Sequence, residues 1–533
     1  MRVVLRDRQQ WGSRGVVSTG SSAATLAALR VLEEGGTAFD AAITASAMMT
    51  VCMPMASGPG GDATAVLHVG GKRTALALVG LGRAPRSAHP QAFGERGLDA
   101  VPRTGVLSAT TPALLDAWFE VHERFGTLPL ERLLRPALRT ASEGAVITGQ
   151  FQRWTRENLH VLEQPEFRGL YGRAAEADSV GTSLPQPGLA RLLDRAGRES
   201  REALNGWIAE LAHEVSARHG GFLRGDDVTA TRACLVPALD AQVAGRKVAV
   251  PPAPTQGPLM LQNLALYGAL LSDGVDSGSA PGIHLLAETV HQTFGWRLDH
   301  LRDPESAGPP MPDPLGADTL AALLSGIDPD RRTPCRYTGH YSHGDTTHLV
   351  VADRAGNAVT WVQSLGLGFG AGVGLPEAGL LLCNRLGRSA TLDHRHANRV
   401  TPGARPVNTI FPWTISEGPA VRWLGGTPGG DGQCQWNTQV AAALLFDDST
   451  ALRALSRPRW TYFPGSDRIE AGRPEQLHVD ETMEPAAVAE LVRRGHDVVR
   501  KASVGGVNRV VSWQRGSLYG LDDGRQEGLT AAC

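Results

Sequence analysis

Residues 344–364 read GDTTHLVVADRAGNAVTWVQS, and this segment gives the strongest structural signal in the chain. It contains an apolar run, a short turn segment and a second run rich in β-forming residues. Gly356 and Asn357 in the turn tolerate the positive φ angles of tight hairpins, so the pattern predicts two antiparallel strands. Antiparallel pairing brings Thr346, at the start of the first strand, beside Ser364, at the end of the second. We therefore expect the two hydroxyl groups to lie side by side.

The composition is that of an ordinary globular protein. The chain has 533 residues, of which 42% are hydrophobic and 20% are charged, which is enough to bury a large core. Its formal net charge of −2 does not favour nucleic acid or an anionic membrane surface as a partner. No apolar run reaches the length of a membrane span, and residues 1–8 lack the apolar segment of a signal peptide. These features predict a cytoplasmic protein.

Four motifs resemble those of a known family. The segment DTTH at residues 345–348, followed by the turn described above, looks like the self-cleavage site of the γ-glutamyltranspeptidase family of N-terminal-nucleophile hydrolases. The other three motifs are EGGTAFDAA at residues 34–42, the paired segments GLGFGAG and GLLLCN at residues 366–372 and 379–384, and GTPGGDGQ at residues 426–433. They stand in the family's order, so the resemblance extends from about residue 15 to about residue 440.

The resemblance implies that the chain cuts itself between Asp345 and Thr346. A threonine hydroxyl is a weak nucleophile unless a base lies beside it. Cleavage frees the α-amine of Thr346, and because such an amine has a pKa of about 7.7–8.0, it is partly neutral near pH 7 and activates the hydroxyl of its own residue. The products are a large fragment, residues 1–345, and a small fragment, residues 346–533, which pair as a heterodimer in one globular unit.

The resemblance also assigns supporting roles around this nucleophile. Ser364 orients the Thr346 hydroxyl, and Gly429 and Gly430 form the oxyanion hole. Glycines suit that role because they let backbone N–H groups approach a developing negative charge closely.

The implied fold is α+β, a four-layer αββα sandwich in which helices cover two central antiparallel sheets. The residue pattern agrees, with apolar helices early, hairpins late and no βαβ repeat. It predicts helices over residues 23–32 and 38–53, a strand over residues 63–69, and a mostly helical segment from residue 150 to residue 330.

No cofactor is expected. His340, His343 and His348 lie near one another in the sequence, but no carboxylate or cysteine completes a recognisable metal site there, so we predict none.

The substrate pocket departs from the family pattern. The positions that hold the glutamyl α-amino group in the transpeptidases correspond here to Gly366, Arg385 and Arg388. The positions that hold the α-carboxylate correspond to Leu81, Asn408 and Thr409, and Arg83 lies two residues from the first of them. A pocket with guanidinium groups and no carboxylate repels an ammonium group and binds a carboxylate. Arg83, Arg385, Asn408 and Thr409 are therefore the predicted substrate-binding residues, and the substrate is predicted to be a small, carboxylate-bearing molecule.

Three functions are compatible with these residues. The first is a self-processing, γ-glutamyltransferase-like amidohydrolase or acylase that forms an acyl-enzyme on Thr346. The second is a hydrolase of a secondary-metabolite pathway that cleaves a carbon–carbon bond with the same threonine. The third is a non-catalytic binding protein that keeps the fold.

Overall fold

The structure, a computed structural model, describes residues 8–307, 309–334, 346–463, 475–514 and 516–533. Its strands are β1 Gln10–Gly12, β2 Gly15–Thr19, β3 Asp62–His68, β4 Leu76–Gly80, β5 Ala145–Val146, β6 Ser183–Leu184, β7 Cys234–Pro237, β8 Leu239–Val243, β9 Arg246–Val250, β10 Thr347–Asp353, β11 Ala358–Ser364, β12 Gly374–Leu375, β13 Leu380–Leu381, β14 Trp413–Glu417, β15 Ala420–Gly426, β16 Trp460–Phe463, β17 Gln476–Asp480, β18 Val498–Lys501, β19 Arg509–Gln514, β20 Ser517–Asp522 and β21 Leu529–Ala532.

Helices precede, separate and follow these strands. They are α1 Ser22–Glu33, α2 Ala38–Cys52, α3 Pro90–Gly94, α4 Leu114–Phe125, α5 Leu130–Glu143, α6 Gly149–Asn158, α7 Pro165–Gly172, α8 Pro187–Arg198, α9 Arg201–Arg218, α10 Gly225–Ala230, α11 Gly257–Leu270, α12 Ala280–His300, α13 Ala317–Leu324, α14 Arg385–Ser389, α15 Gly432–Phe446, α16 Ala451–Ser456 and α17 Pro485–Arg493. None of the described helices is both long enough and apolar enough to cross a membrane.

Two seven-stranded antiparallel sheets form the centre of the molecule. The first sheet has the strand order β21-β2-β10-β11-β3-β4-β7, and the second has the order β1-β20-β19-β15-β14-β9-β8. Two smaller sheets pair β12 with β13 and β5 with β6. A third has three strands, with β17 between β16 and β18.

The apolar side chains divide into cores that define four layers. One core packs α1, α2, α4, α5 and α8 on the outer face of the first sheet. Another packs α11, α12 and α15 on the outer face of the second sheet. A third lies between the sheets and joins residues such as Val350 on β10 to Leu424 on β15 and Val511 on β19. This arrangement confirms the predicted αββα sandwich.

The predicted hairpin is present in the predicted register. β10 pairs with β11 antiparallel, with Thr347 opposite Gln363 and Ala352 opposite Ala358. Because alternate side chains of a strand point to opposite faces, Thr347 lies on the helix side and His348 on the side between the sheets. The nucleophile candidate Thr346, one residue before Thr347, therefore belongs to the inter-sheet side.

Two helix predictions are confirmed and one regional prediction is partly wrong. α1 and α2 begin and end within one residue of the predicted ranges, and every residue of α2 except Cys52 is buried, as its apolar pattern indicates. Residues 150–330, predicted as mostly helical, also contain β6, β7, β8 and β9. β8 and β9 are joined by Ala244-Gly245, both with positive φ, a turn without the Asn-Gly or Asp-Gly pair that usually reveals a hairpin.

A buried histidine connects the two sheets and makes their packing sensitive to acid. The His68 imidazole, on β3, lies 2.9 Å through Nε2 from the Thr414 hydroxyl on β14. Burial, with a smaller contribution from the positive charge of Lys247, lowers the pKa of His68 from 6.5 to about 4. The folded state therefore binds fewer protons than the unfolded state between pH 4 and pH 6.5, and its stability falls as pH falls through that range.

We expect this single group to remove about 3 kcal/mol of stability between pH 6.5 and pH 4. In a His68→Gln variant, which keeps a polar side chain but does not titrate, the loss over the same interval should be smaller by that amount. Urea unfolding at the two pH values, at one protein concentration, measures it. The exposed His394→Gln variant is the control, and an equal pH dependence in wild type and His68→Gln would contradict the assignment.

Candidate active site

Thr346 lies at the head of β10, beside the end of β11. Its side chain is buried, with 1% of the residue exposed, and its Oγ1 donates a hydrogen bond of 3.0 Å to Oγ of Ser364. The backbone N–H of Gly366 donates a second bond of 3.0 Å to the same serine oxygen. The expected juxtaposition of the two hydroxyls is confirmed, whereas Asp345, the other side of the predicted cleavage site, lies outside the described residues.

The next residues of β10 separate the two faces of the strand. The Thr347 hydroxyl faces the sulfur atoms of Met49 and Met53, on the helix side. The His348 Nε2 atom lies 2.8 Å from the Thr360 hydroxyl, on the inter-sheet side. Burial lowers the pKa of His348 well below its ordinary value, so this imidazole is neutral at pH 7. His340 and His343, which the sequence analysis considered together with His348 as metal ligands, lie outside the described residues.

β15 runs toward the Thr346 end of the hairpin. The Gly425 carbonyl accepts a hydrogen bond of 3.1 Å from Thr360, and the next residue, Gly426, packs against the His348 ring. In the hairpin register, Thr360 lies further from Thr346 than His348 does. The chain therefore advances along β15 in the direction of Thr346, and the loop that follows Gly426 continues that way.

The glycine pair of this loop adopts a backbone that favours glycine. Gly429 and Gly430 have φ angles of +124° and +55°, and a Cβ atom on Gly429 would lie 2.2 Å from the Trp436 ring. Their carbonyl groups accept hydrogen bonds of 3.1 Å from the N–H groups of Gly432 and Gln433, at the start of α15. Within the described part of the chain, neither the Gly429 nor the Gly430 N–H donates a hydrogen bond. These two donors are therefore available to an anionic oxygen.

A carboxylate that the sequence interpretation missed lies on the next strand. Asp62 begins β3 and stands opposite Ser364 in the β3–β11 register. Its Oδ2 accepts a bond of 2.7 Å from the Asn408 amide and lies 3.3 Å from Nε of Arg385, while its Oδ1 accepts from the Gly82 N–H at 2.8 Å. The prediction of a pocket without a carboxylate is wrong, because Asp62 supplies one from a distant segment. The only signal was an acidic residue directly after the Ser-Gly-Pro-Gly-Gly turn.

Arg385 is held by Asp62 through one edge of its guanidinium group. The arginine is fully buried, and among the described residues its two terminal nitrogens, Nη1 and Nη2, have no hydrogen-bond partner. An unpaired buried guanidinium edge is costly, since each N–H group has lost its water. This edge is therefore a candidate site for an anion that the protein itself does not provide.

The other predicted pocket residues fall into two groups. Arg388, 1% exposed, donates through Nη1 to the carbonyl of Gly366, the residue whose N–H contacts Ser364. The Thr409 hydroxyl is buried and, within the described residues, has no hydrogen-bond partner. Asn408 and Arg388 thus help to build the pocket wall, whereas Arg385 and Thr409 carry unused polar groups.

Arg83 is engaged elsewhere. Its guanidinium group donates 2.7 Å to Glu305 and 3.0 Å to the Gly403 carbonyl, and it lies 4.0 Å from Asp303. Acidic side chains already balance its charge, so its predicted role as a substrate contact stays a prediction without a specific structural observation in its favour.

Comparison with known proteins agrees with this geometry. Residues 24–533 match the model of the family described as γ-glutamyltranspeptidase. The chain is 29% identical over 481 residues to a glutathione hydrolase-like proenzyme of Bacillus subtilis, an alignment that covers 89% of this chain and 90% of the relative. It is also 29% identical over 520 residues to the oxamate amidohydrolase proenzyme of Klebsiella pneumoniae, which covers 95% and 96%.

A solved structure shows the same architecture. The cephalosporin acylase of Bacillus halodurans superposes with a TM-score of 0.88 at 26% identity, covering 98% of this chain and 97% of the acylase. The protein is an N-terminal-nucleophile hydrolase in fold and class. It belongs to the γ-glutamyltranspeptidase family, and its relatives are proenzymes and amide-cleaving enzymes. The family and its enzymes therefore argue against the hypothesis of a non-catalytic binding protein.

The Ser364 hydroxyl provides a direct test of the Thr346 environment. We expect Ser364→Ala to slow chain cleavage and to lower kcat about 10- to 100-fold, because the variant loses the acceptor that orients the Thr346 hydroxyl. The appearance of two fragments on a denaturing gel and the steady-state rate measure the two effects.

Ser18→Ala is the matched control. Ser18 is also a fully buried serine, lies on the neighbouring strand β2, and bonds to another hydroxyl, that of Thr530, at 2.8 Å. A loss of activity in Ser18→Ala as large as in Ser364→Ala would show that the effect is structural rather than local to Thr346.

Proposed function

We propose that this protein is a self-processing amidohydrolase or acylase that hydrolyses an acyl compound bearing a carboxylate, with Thr346 as the N-terminal nucleophile. The observation that carries the proposal is the buried Arg385 guanidinium, with an unpaired edge among the described residues, in a pocket built beside Ser364. Family membership supports the reaction class, and the pocket supports the charge of the substrate.

The chemistry follows from the positions of three groups. The freed α-amine of Thr346 takes the proton of its own hydroxyl, and Oγ1 attacks the carbonyl carbon of the substrate. The N–H groups of Gly429 and Gly430 stabilise the oxyanion, and the protonated amine then gives its proton to the leaving nitrogen. Water, activated by the same amine, attacks the resulting ester and releases the acyl group as a carboxylic acid.

The pocket favours a carboxylate as its ligand. Arg385 is bonded to Asp62 through Nε, and among the described residues its Nη1 and Nη2 have no hydrogen-bond partner, so this edge of the guanidinium group can bind an anion. Asp62 is already bonded to Arg385, Asn408 and the Gly82 N–H, which leaves it little capacity for a substrate ammonium group. A carboxylate placed on Nη1 and Nη2 of Arg385 would form the paired, charge-assisted bonds that guanidinium geometry favours.

The two proposed fragments are interleaved, which supports their staying together after cleavage. In the first sheet, β10 lies between β2, which precedes Thr346, and β11, which follows it. In the second sheet, β8 and β9 precede Thr346, whereas their neighbour β14 follows it. Residues 1–345 and 346–533 would therefore share both sheets and the two cores on their outer faces, as one globular heterodimer.

Two chromogenic substrates that differ by one amino group test the substrate class. Glutaryl-p-nitroanilide carries only a carboxylate, and γ-glutamyl-p-nitroanilide carries an ammonium group in addition. We expect kcat/KM to be at least about 100-fold higher for the glutaryl compound, because the Arg385 guanidinium repels the ammonium. Oxamate is a shorter carboxylate probe of the same pocket. Turnover of the γ-glutamyl compound as fast as the glutaryl compound would contradict the proposal.

A further inference from the structure

On the opposite side of the second sheet from Thr346, three buried ligand-type side chains converge. His284 and Glu288 lie one turn apart on α12, and His496 follows the end of α17. Their exposed fractions are 0%, 0% and 4%, and one potential ligand atom from each lies within 4.8 Å of the other two. We propose that His284, Glu288 and His496 form a binding site for a single divalent transition-metal ion, with zinc as the best match to the ligands.

Each of the two imidazoles presents one ring nitrogen to the other. Nδ1 of His284 lies 2.9 Å from Nε2 of His496. Nitrogen ligands lie 2.0–2.1 Å from zinc, so two of them in a tetrahedral site are about 3.3 Å apart. A small rotation of either ring therefore opens the pair enough to admit the ion.

The far side of the His284 ring is fixed in the way that metal-bound histidines are fixed. Its Nε2 lies 3.1 Å from the carbonyl oxygen of Asp328. When Nε2–H donates to that carbonyl, the lone pair of the imidazole is on Nδ1 and is directed at His496. A backbone carbonyl that sets the tautomer of a ligand histidine is the usual outer contact of a metal site.

Glu288 provides a buried carboxylate oxygen that has no partner within the described part of the chain. Its Oε2 accepts hydrogen bonds from the backbone N–H of Thr333, at 3.0 Å, and from the Thr333 hydroxyl. Its Oε1 is buried and, among the described residues, has no hydrogen-bond partner. A buried carboxylate oxygen without a partner is costly, and a cation bound between Glu288 and the two histidines would remove that cost.

The donor set selects the kind of ion. Two imidazole nitrogens and one carboxylate oxygen suit zinc and similar transition metals, whereas magnesium and calcium prefer oxygen ligands throughout. Water would complete the tetrahedron. His348 is not part of this site, because it lies on the inter-sheet side and contacts Thr360.

The placement gives the ion a structural role. His284 and Glu288 precede the proposed cleavage point, and His496 follows it, so the ion would link the large fragment to the small one. Nearby contacts also link the two fragments. The Arg332 guanidinium lies 2.5 Å from the Glu475 carboxylate, and the Arg332 backbone N–H donates to the Arg494 carbonyl. Metal binding that uses ligands from two fragments stabilises their complex by the free energy of binding.

The test uses the whole purified protein, stripped with a chelator and then dialysed against zinc. Metal analysis should give one zinc per chain, and zinc should raise the melting temperature of the stripped protein. Cobalt in place of zinc should give the visible absorption of a tetrahedral site.

We expect His496→Asn and Glu288→Gln each to weaken zinc binding at least about 10-fold. Glu288→Gln keeps an acceptor for Thr333, which protects the fold. His394→Ala, which removes an exposed histidine, is the control and should bind zinc like wild type.

Two outcomes would overturn the site. One is wild-type protein that, after dialysis, holds less than about a tenth of an equivalent of zinc and gives no tetrahedral cobalt spectrum. The other is a folded Glu288→Gln or His496→Asn protein that binds zinc as tightly as wild type. Because the readouts are metal content and melting temperature rather than turnover, failure here is distinguishable from failure of the Thr346 assignment.

Discussion

Replacing Thr346 with alanine is expected to leave the chain uncut and to lower turnover of glutaryl-p-nitroanilide at least about 10³-fold. The alanine removes the hydroxyl that bonds to Ser364 at 3.0 Å, and with it both the proposed nucleophile and the new N-terminus whose amine activates it. Denaturing gel electrophoresis reports the cleavage, and release of p-nitroaniline reports the activity.

The adjacent threonine is the matched control for this variant. Thr347 is equally buried, but its hydroxyl lies on the helix side, against Met49 and Met53. Thr347→Val should therefore cut itself and turn over substrate within a few-fold of wild type. Normal activity in Thr346→Ala, or equal losses in both variants, would contradict the role of Thr346.

The second large effect is expected at the anion site. Arg385→Met should lower kcat/KM for glutaryl-p-nitroanilide about 10²- to 10⁴-fold, because two hydrogen bonds between charged groups are lost, each contributing about 1.5–3 kcal/mol. Cleavage before Thr346 should continue, since the hydrogen bond that Arg385 makes among the described residues goes to Asp62 and not to Thr346 or Ser364. Steady-state kinetics measure the first effect and intact mass measures the second.

A neutral substrate separates the charge interaction from simple misfolding of the pocket. The methyl ester of glutaryl-p-nitroanilide lacks the carboxylate, so wild type and Arg385→Met should turn it over at similar rates. If Arg385→Met loses the ester and the acid to the same extent, the arginine supports the pocket and does not bind the carboxylate.

The local parts of this site could be predicted from the sequence. The hairpin depends on a turn of a few residues and on alternation within two short strands, so Thr346 and Ser364, 18 residues apart, were placed together correctly. The helices α1 and α2 and the four-layer architecture were also predictable, because their signals lie in nearby residues and in motifs shared with the family.

The parts that could not be predicted depend on contacts between distant segments. Asp62 and Arg385 are 323 positions apart, and nothing in the residues around either one indicates that they form an ion pair. The same is true of His284 and His496, which are 212 positions apart. Only the packing of the sheets and of α12 against α17 brings these side chains together. The ion pair and the cluster of ligand atoms can therefore be recognised only in the folded structure.

The intact mass of the purified, active wild-type protein shows whether Thr346 becomes an N-terminal residue. We expect two fragments whose masses place the break between Asp345 and Thr346, with Thr346 as the first residue of the smaller one. Fully active protein that remains a single chain, or whose break lies at another position, would contradict it.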